Sequence, residues 1–340
     1  MAVPQVTIVG SGVAGLCLAA ELAERGAGLK IVDSHGRPAD HGCSWWAGGM
    51  LAPFCEGESA DETVIRLGQE AAGWWQRHNV DVKRNGSLVL ALSRDRRELS
   101  RFARLTTEHE WLDADGLAAL EPDLAGRAQR GLFFPTEAHL SPRDALACLV
   151  GELESQNIEI EIGNGLDFPD NDNNAAQAKS INWVDCRGLS AADALQDLRG
   201  VKGEMLVIRS ADIQLSRPVR LLHPRIPMYL VPRGNGVFML GATQIESGNR
   251  HSATVRSVLE LLSAAYALHP AFGEAEILEI GVDARPAFPD NLPRIRRRGD
   301  RLYVNGLFRH GFLLAPALAR MSADFIFSEK IPEVMDENLN

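Results

Sequence analysis

The amino-acid sequence predicts an α/β protein in which a doubly wound domain is interleaved with a smaller α+β domain built on a mixed or antiparallel sheet. Three observations carry that expectation. The chain opens on a strand, glycine turn, helix and second strand; a run of turn-linked strands dominates its second half; and segments suited to the opening sheet return between and after those strands. At 340 residues the chain exceeds one ordinary domain of roughly 100 to 200 residues, so two are expected.

The opening stretch QVTIVGSGVAGLCLAAELAERGAGLKIVDSH reads as a βαβ unit whose second strand ends at Asp33. Gly10, Gly12 and Gly15 form G-x-G-x-x-G directly after a strand at 6–9 and directly before the helix, the context that gives this motif its meaning. Gly10 permits the tight turn, Gly12 lets backbone approach a pyrophosphate, and Gly15 lets helix pack closely on strand. The helix N-terminus then offers unpaired N–H groups to phosphate. Asp33, 18 residues beyond Gly15, is placed to accept hydrogen bonds from ribose hydroxyls. This Rossmann-like fingerprint specifies a dinucleotide and leaves FAD and NAD both open.

Residues 61–78 read as one helix with Ile65, Leu67, Ala71, Ala72 and Trp75 among its buried positions. GSLVLAL is a strand, RDRRELSRFARLTTEH a charged helix, LDADGLAALEPDLAG a short capped helix ending near Pro122, and GLFFPTEAHLSP a strand. Ser141 and Pro142 open the next helix as N-cap and first-turn proline. IEIEIG is a strand, residues 167–177 are the most polar loop, and INWVDCRG is a buried strand returning to the first sheet. VKGEMLVIR, MYLVPR and GVFMLGATQ form a run of strands with turns such as RGNG between them. A helix at 253–268, strands in EILEIGVDARP and RLYVNGL, and an amphipathic helix at 313–328 complete the chain. In the last, Leu314, Leu318, Met321 and Phe325 are core candidates and Pro316 lies near the first turn.

The composition is 45% hydrophobic and 24% charged, as in a globular protein. A formal charge of -10 argues against a nucleic-acid or anionic-membrane partner, since both require a basic face. Arg294, Arg296, Arg297 and Arg298 read as a solvated hairpin or a strand edge protected by charge. The five cysteines, Cys17, Cys43, Cys55, Cys148 and Cys186, have neither disulfide-framework nor zinc-site spacing, so no metal is expected. A reducing cytoplasm fits them. The N-terminus carries no signal-peptide pattern and no apolar run reaches the ~18 residues of a membrane span, so a soluble, unprocessed protein is expected.

The order of motifs resembles the D-amino-acid oxidase and glycine oxidase family of FAD enzymes, with the bacterial glycine oxidases of thiamine biosynthesis the nearest match. The resemblance runs through the N-terminal glycine motif, AGGMLAP, LEPDL, HLSP, VKGE, YLVPR with LGAT, ARP and GLFRHGFLLAP. It implies an FAD-binding domain over 1–80, 139–205 and 285–340, and a substrate domain over 81–138 and 206–284. Non-covalent FAD is implied, because no cysteine occurs after Cys186. The implied cofactor site takes Gly10, Gly12, Val13, Ala14, Gly15, Asp33 and Ser34 from the opening unit. Cys43, Ser44, Ala47, Gly48, Gly49 and Met50 join it from the next loop, with Val184 and Gly188 after the returning strand and Gly306, Arg309, His310, Gly311, Phe312 and Leu313 near the last helix.

Carried over to this sequence, Arg285 matches the arginine that binds the substrate carboxylate, and Tyr229 the tyrosine that hydrogen-bonds the same group. A planar guanidinium gives a carboxylate two parallel charge-assisted hydrogen bonds and fixes its orientation. Ala52, Cys55 and Gln244 are implied at the substrate pocket, with Glu56 as a surface carboxylate near its entrance. Gln244 stands where the matched family has a methionine, His310 where it has an asparagine, and Arg187 where it has a small residue. Trp45 and Trp46 also depart from the family, as anchors of the small-residue loop or as walls beside the flavin. The resemblance implies oxidation of glycine or a small D-amino acid without a protein base, with oxygen as acceptor. A dehydrogenase using another acceptor and a non-catalytic FAD-binding subunit are the competing readings; a homo-oligomer is compatible with all three.

Overall fold

The computed structural model describes residues 3–163, 180–223 and 228–339. The polar loop at 167–177 lies outside them. Strand Gln5–Val9, helix Val13–Glu24 and strand Gly28–Asp33 form the opening unit, with the strands parallel from Gln5 opposite Gly28 to Val9 opposite Val32. Strand Trp183–Asp185 pairs in parallel on the other side of Gln5–Val9, as expected of a return to the first sheet. The order across this sheet is Met335–Leu339, Arg294–Arg298, Arg301–Asn305, Trp183–Asp185, Gln5–Val9, Gly28–Asp33, Ile160–Ile162.

The second sheet runs Ile245–Glu246, Arg199–Arg209, Val237–Gly241, Met228–Gly234, Val219–Leu222, Ser87–Ala91, Arg130–Phe134, Glu110–Asp113, and strand Glu276–Ala287 pairs along Arg199–Arg209. Most of its pairs are antiparallel, while Val219–Leu222 runs parallel to Ser87–Ala91. Strands Arg199–Arg209 and Glu276–Ala287 belong wholly to this sheet and straddle the expected domain boundaries at 205 and 285.

The first sheet buries one large core, and the second buries several smaller ones. Helices Val13–Glu24, Pro142–Ser155 and Gly311–Ser328 cover the first, with Leu16, Leu18, Leu22, Ile8 and Ile31 buried. Leu314, Leu318, Met321 and Phe325 are buried there as the helical spacing predicts. Helix Gly311–Ser328 is long and apolar enough to cross a membrane, but 67% of that window is buried inside the protein. Helix Val255–Leu268 covers the second sheet through Leu261 and Leu268, against Leu206, Leu240 and Phe238.

Three expectations change. Residues 61–78 form two helices, Glu62–Gly68 and Ala71–Arg77; the break after Gly68 lets Trp74 and Trp75 turn inward and leaves Ile65 and Ala72 only half-buried. GLFFPTEAHLSP splits into Arg130–Phe134 and Ala138–His139, the latter pairing with Met50–Leu51. Pro135 lies between them and cannot donate to a ladder. The arginine strand Arg294–Arg298 is a hairpin arm but not an edge, because Met335–Leu339 pairs along its other side. Its charges are paired: Arg296 holds Asp197 and Asp336, and Arg298 holds Glu337.

Candidate active site

The glycine turn is built by backbone contact. A Cβ on Gly15 would lie 1.9 Å from the carbonyl oxygen of Gly10, and one on Gly10, whose φ is +108°, would lie 2.5 Å from that of Cys186. The helix therefore starts hard against the strand ends, with Gly12 as its N-cap and no side-chain cap. Gly12, Val13 and Ala14 line an elongated cavity that also touches Ser34, Cys43, Ser44 and Gly188. Val13 N–H donates to Ser44 Oγ at 3.1 Å, tying the second loop to the helix start. Asp33 ends its strand with Oδ2 accepting from Ser11 N–H and Oδ1 from His35 N–H, both at 2.8 Å.

This cavity meets a second one of about 470 Å³, and both are bordered by Ala47, Gly48, Tyr229, Arg285, Arg309, Gly311 and Phe312. Gly49, Met50, Ala52, Gln244, His310 and Leu313 line the second cavity. Helix Gly311–Ser328 begins here, again without a side-chain cap. Two uncapped helix N-termini thus open on one connected space, each with positive dipole toward it.

Arg285 lies where the cavities join. Its Nη1 donates to the Thr243 carbonyl at 3.2 Å, and it has no carboxylate partner among the described residues. Thr243 is fixed in turn: its N–H donates to the Glu204 carbonyl at 3.1 Å and its hydroxyl to Glu204 Oε2 at 3.1 Å. Tyr229 faces the small-residue loop, and a Cβ on Gly48 would lie 3.0 Å from its ring. Gly49, with φ +69°, would push a Cβ to 2.3 Å from the Leu140 carbonyl. The need for glycine in this loop thus arises inside the protein itself.

Arg233, whose role the motif YLVPR did not disclose, clamps that loop. It donates to the carbonyls of Leu140 at 3.0 Å and Gly48 at 2.8 Å, and burial lowers its pKa to about 10. Arg143 lies 4.6 Å and 5.2 Å from the ring centroids of Trp45 and Trp46 while pairing with Glu279 through two 2.8 Å bonds, contacts an anchor would make. Trp46 also borders the elongated cavity, as a wall would. Arg187, unexplained in the sequence, borders the same cavity and is held by Asp185 and Asp193.

Glu56 is a correction. It is a buried wall of the second cavity, with Oε1 3.1 Å from Arg220 and Oε2 2.5 Å from Arg309 and 3.0 Å from His310 Nε2. Burial pushes its carboxyl up, but Arg309 and Arg220 outweigh that and hold it well below the usual carboxylate range. His310 is pushed down by burial and stays neutral; His139, also buried, is lowered to about 4. Burial and then the Asp283 carboxylate push the Cys43 thiol up to about 12.

Six expected site residues, Gly10, Gly15, Asp33, Cys55, Val184 and Gly306, line neither cavity, and the Asp33 oxygens are taken by Ser11 and His35 N–H. Val184 is fully buried in the first sheet, between its neighbours Ile8 and Leu302. Cys55 is fully buried behind the wall, its N–H donating to Glu137 Oε1 at 2.8 Å and its thiol beside Ser87. Gly306 serves a turn, with φ +77° and a Cβ position 2.2 Å from Phe288. Gly10 and Gly15 shape the cradle from behind without lining it.

A phosphate-ready turn and an arginine without a carboxylate partner share one cavity, and the sequence comparison gives the class of enzyme this serves. Over residues 5–325 the chain belongs to the DAO family of FAD-dependent oxidoreductases, and FAD is its cofactor. Within that family its likeness runs to proteins named ThiO and glycine oxidase. It is 50% identical over 328 residues to a Rhizobium etli protein that carries the name thiamine biosynthesis oxidoreductase ThiO, covering 96% of this chain and 97% of the relative. A glycine oxidase of Bacillus licheniformis is 26% identical over 95% of this chain and 93% of its own. The glycine oxidase structure from Geobacillus kaustophilus shares the fold with a TM-score of 0.79 at 22% identity, covering 98% and 96% of the two chains.

The residues fit FAD. The start of helix Val13–Glu24 borders the elongated cavity beside Gly42, Ser44 and Gly188, and the start of helix Gly311–Ser328 borders the same cavity. An extended dinucleotide has phosphate for the first and an electron-poor ring for the second.

Proposed function

We propose that this enzyme oxidises the Cα–N bond of glycine or a small D-amino acid, with non-covalent FAD and oxygen as the acceptor, giving an imine that hydrolyses to an oxoacid and ammonia or feeds thiazole synthesis for thiamine. The observation that carries this reading is Arg285, a guanidinium without a carboxylate partner among the described residues, at the junction of the two cavities. A substrate carboxylate supplies the missing bidentate partner. The name and the 50% identity of the Rhizobium relative support the thiamine assignment.

Gly12, Val13, Ala14, Ser34, Ser44 and Gly188 would hold the ADP part, and Ala47, Gly48, Gly49, Met50, Arg309, His310, Gly311, Phe312 and Leu313 the ring. When bound, FAD supplies the hydride acceptor. Arg285 and Tyr229 orient the substrate so that its Cα–H points one way, a contribution of positioning rather than of acid or base. His139 and His310 are held neutral by burial, and Glu56 is held ionised, so none of the three is poised to take a proton near neutral pH. Five free thiols accord with a reducing cytoplasm.

The test is anaerobic flavin bleaching by glycine, sarcosine, D-alanine and D-proline, followed by peroxide and dye-reduction assays on the best substrate. Bleaching by glycine or D-alanine and stoichiometric peroxide are expected. An FAD-loaded protein that none of the four bleaches would overturn the substrate assignment, and dye reduction without peroxide would overturn the acceptor.

A further inference from the structure

The carboxylate of Glu56 is shared by more cations than it can neutralise. Arg220 and Arg309 both reach it, one on each oxygen, and His310 Nε2 shares the second oxygen. Its side chain is 10% exposed, those of Arg220 and Arg309 11% and 28%, so the group is largely withdrawn from solvent screening. Two guanidinium charges against one carboxylate leave one positive charge on this wall. Arg309 also donates to the Ser59 hydroxyl at 2.8 Å.

We propose that Glu56 is a positioning residue that fixes Arg309 at the cavity junction and sets the positive charge presented to the flavin at one unit instead of two. It acts through Arg309, Arg220 and His310. It is no general base, because all three donors are directed at its oxygens and the two arginines keep it ionised. His310 fits the same scheme: the Nε2–H tautomer donates to Glu56, and a neutral imidazole adds orientation without adding charge. Two other acids act on Arg220: buried Glu137, whose carboxyl is raised to about 7 and so cancels only part of the surplus at neutral pH, and Glu58, which is paired with Arg101.

This inference rests on the second cavity holding the flavin ring, and sulfite tests the two separately. Sulfite adds its lone pair to flavin N5, forming an N–S bond and leaving negative charge on the ring, so its affinity reports the local potential. Wild-type protein that binds FAD but neither sulfite nor substrate would fail the cavity reading itself. In Glu56→Gln the carboxylate charge is lost and sulfite should bind about tenfold tighter, as an unscreened unit charge at close range dictates. The flavin N3–H should also ionise at lower pH. Glu56→Asp, which keeps the charge, should stay within about twofold of wild type. An FAD-loaded Glu56→Gln protein with unchanged sulfite affinity would overturn the inference. Should that variant not retain FAD, Glu56→Gln with Arg309→Gln restores the charge count. FAD retention with near-wild-type sulfite affinity supports the proposal; a double variant that still loses FAD overturns it.

Discussion

Gly203 and Arg285 are in contact across paired strands: a Cβ on residue 203 would lie 2.3 Å from Arg285 Nη2. The missing side chain is what lets the guanidinium lie flat toward Thr243. Gly203→Ala should displace it by about an ångström and lower kcat/KM about a hundredfold, while FAD affinity is unchanged. Titration of the apoprotein with FAD beside steady-state kinetics checks both halves.

Arg143 ties helix Pro142–Ser155 to Trp45, Trp46 and Glu279. Removing its charge in Arg143→Met loses the ring contacts and the ion pair together, worth about 1–2 kcal/mol in all. FAD should dissociate about tenfold more readily, seen by equilibrium dialysis. Unchanged FAD affinity with a broader substrate range would make the tryptophans walls alone.

Glu137 is raised from 4.5 to about 7, chiefly by burial, against the opposing bonds from Ser87 and Cys55. A carboxyl raised in the fold favours the fold while protonated. Its stabilisation is full below its unfolded value and is lost as the pH rises through about 7, a change of about 3 kcal/mol. Glu137→Gln can accept from Cys55 and donate to Ser87 without titrating. Urea midpoints of the wild type should therefore fall relative to this variant between pH 5 and 8, and parallel curves would show the carboxyl titrates normally.

Arg296 is nearly buried and bonds both Asp197 and Asp336 at 2.7 Å. Arg296→Ala leaves Asp197 unpaired and Asp336 with Arg294 alone at the join between the hairpin and strand Met335–Leu339. Both acids are partly exposed, so a loss of about 2 kcal/mol in unfolding free energy is expected. A loss below 1 kcal/mol would place the strand's hold elsewhere.

The opening unit was legible in the sequence because its signals are local: the spacing of Gly10, Gly12 and Gly15 and an acid at the next strand end require no knowledge of distant residues. Arg285 and Tyr229 were legible only through resemblance, since their meeting depends on strands pairing far apart in sequence. Glu56, Arg220 and Arg233 escaped because a charged residue in a loop or strand normally reads as surface, and only the tertiary pairing shows it buried. Val219–Leu222 and Met335–Leu339 were too short or too polar for alternation to show. Cys55 and Val184 sit one layer behind the walls they were assigned to, a difference of a side chain's depth that no motif records.

The neutral thiol of Cys43 bears on the enzyme's own durability. Reoxidation by oxygen, as proposed, releases hydrogen peroxide into the cavity that adjoins the one this cysteine lines, and peroxide oxidises thiolate rather than thiol. With its ionisation pushed up to about 12, Cys43 offers almost no thiolate at neutral pH, and the other four cysteines are raised as well. Mass spectrometry after prolonged turnover in air should find Cys43 unoxidised. Asp283→Asn, which removes the carboxylate that helps keep it protonated, should speed its oxidation relative to wild type, while burial still holds the thiol above its ordinary range.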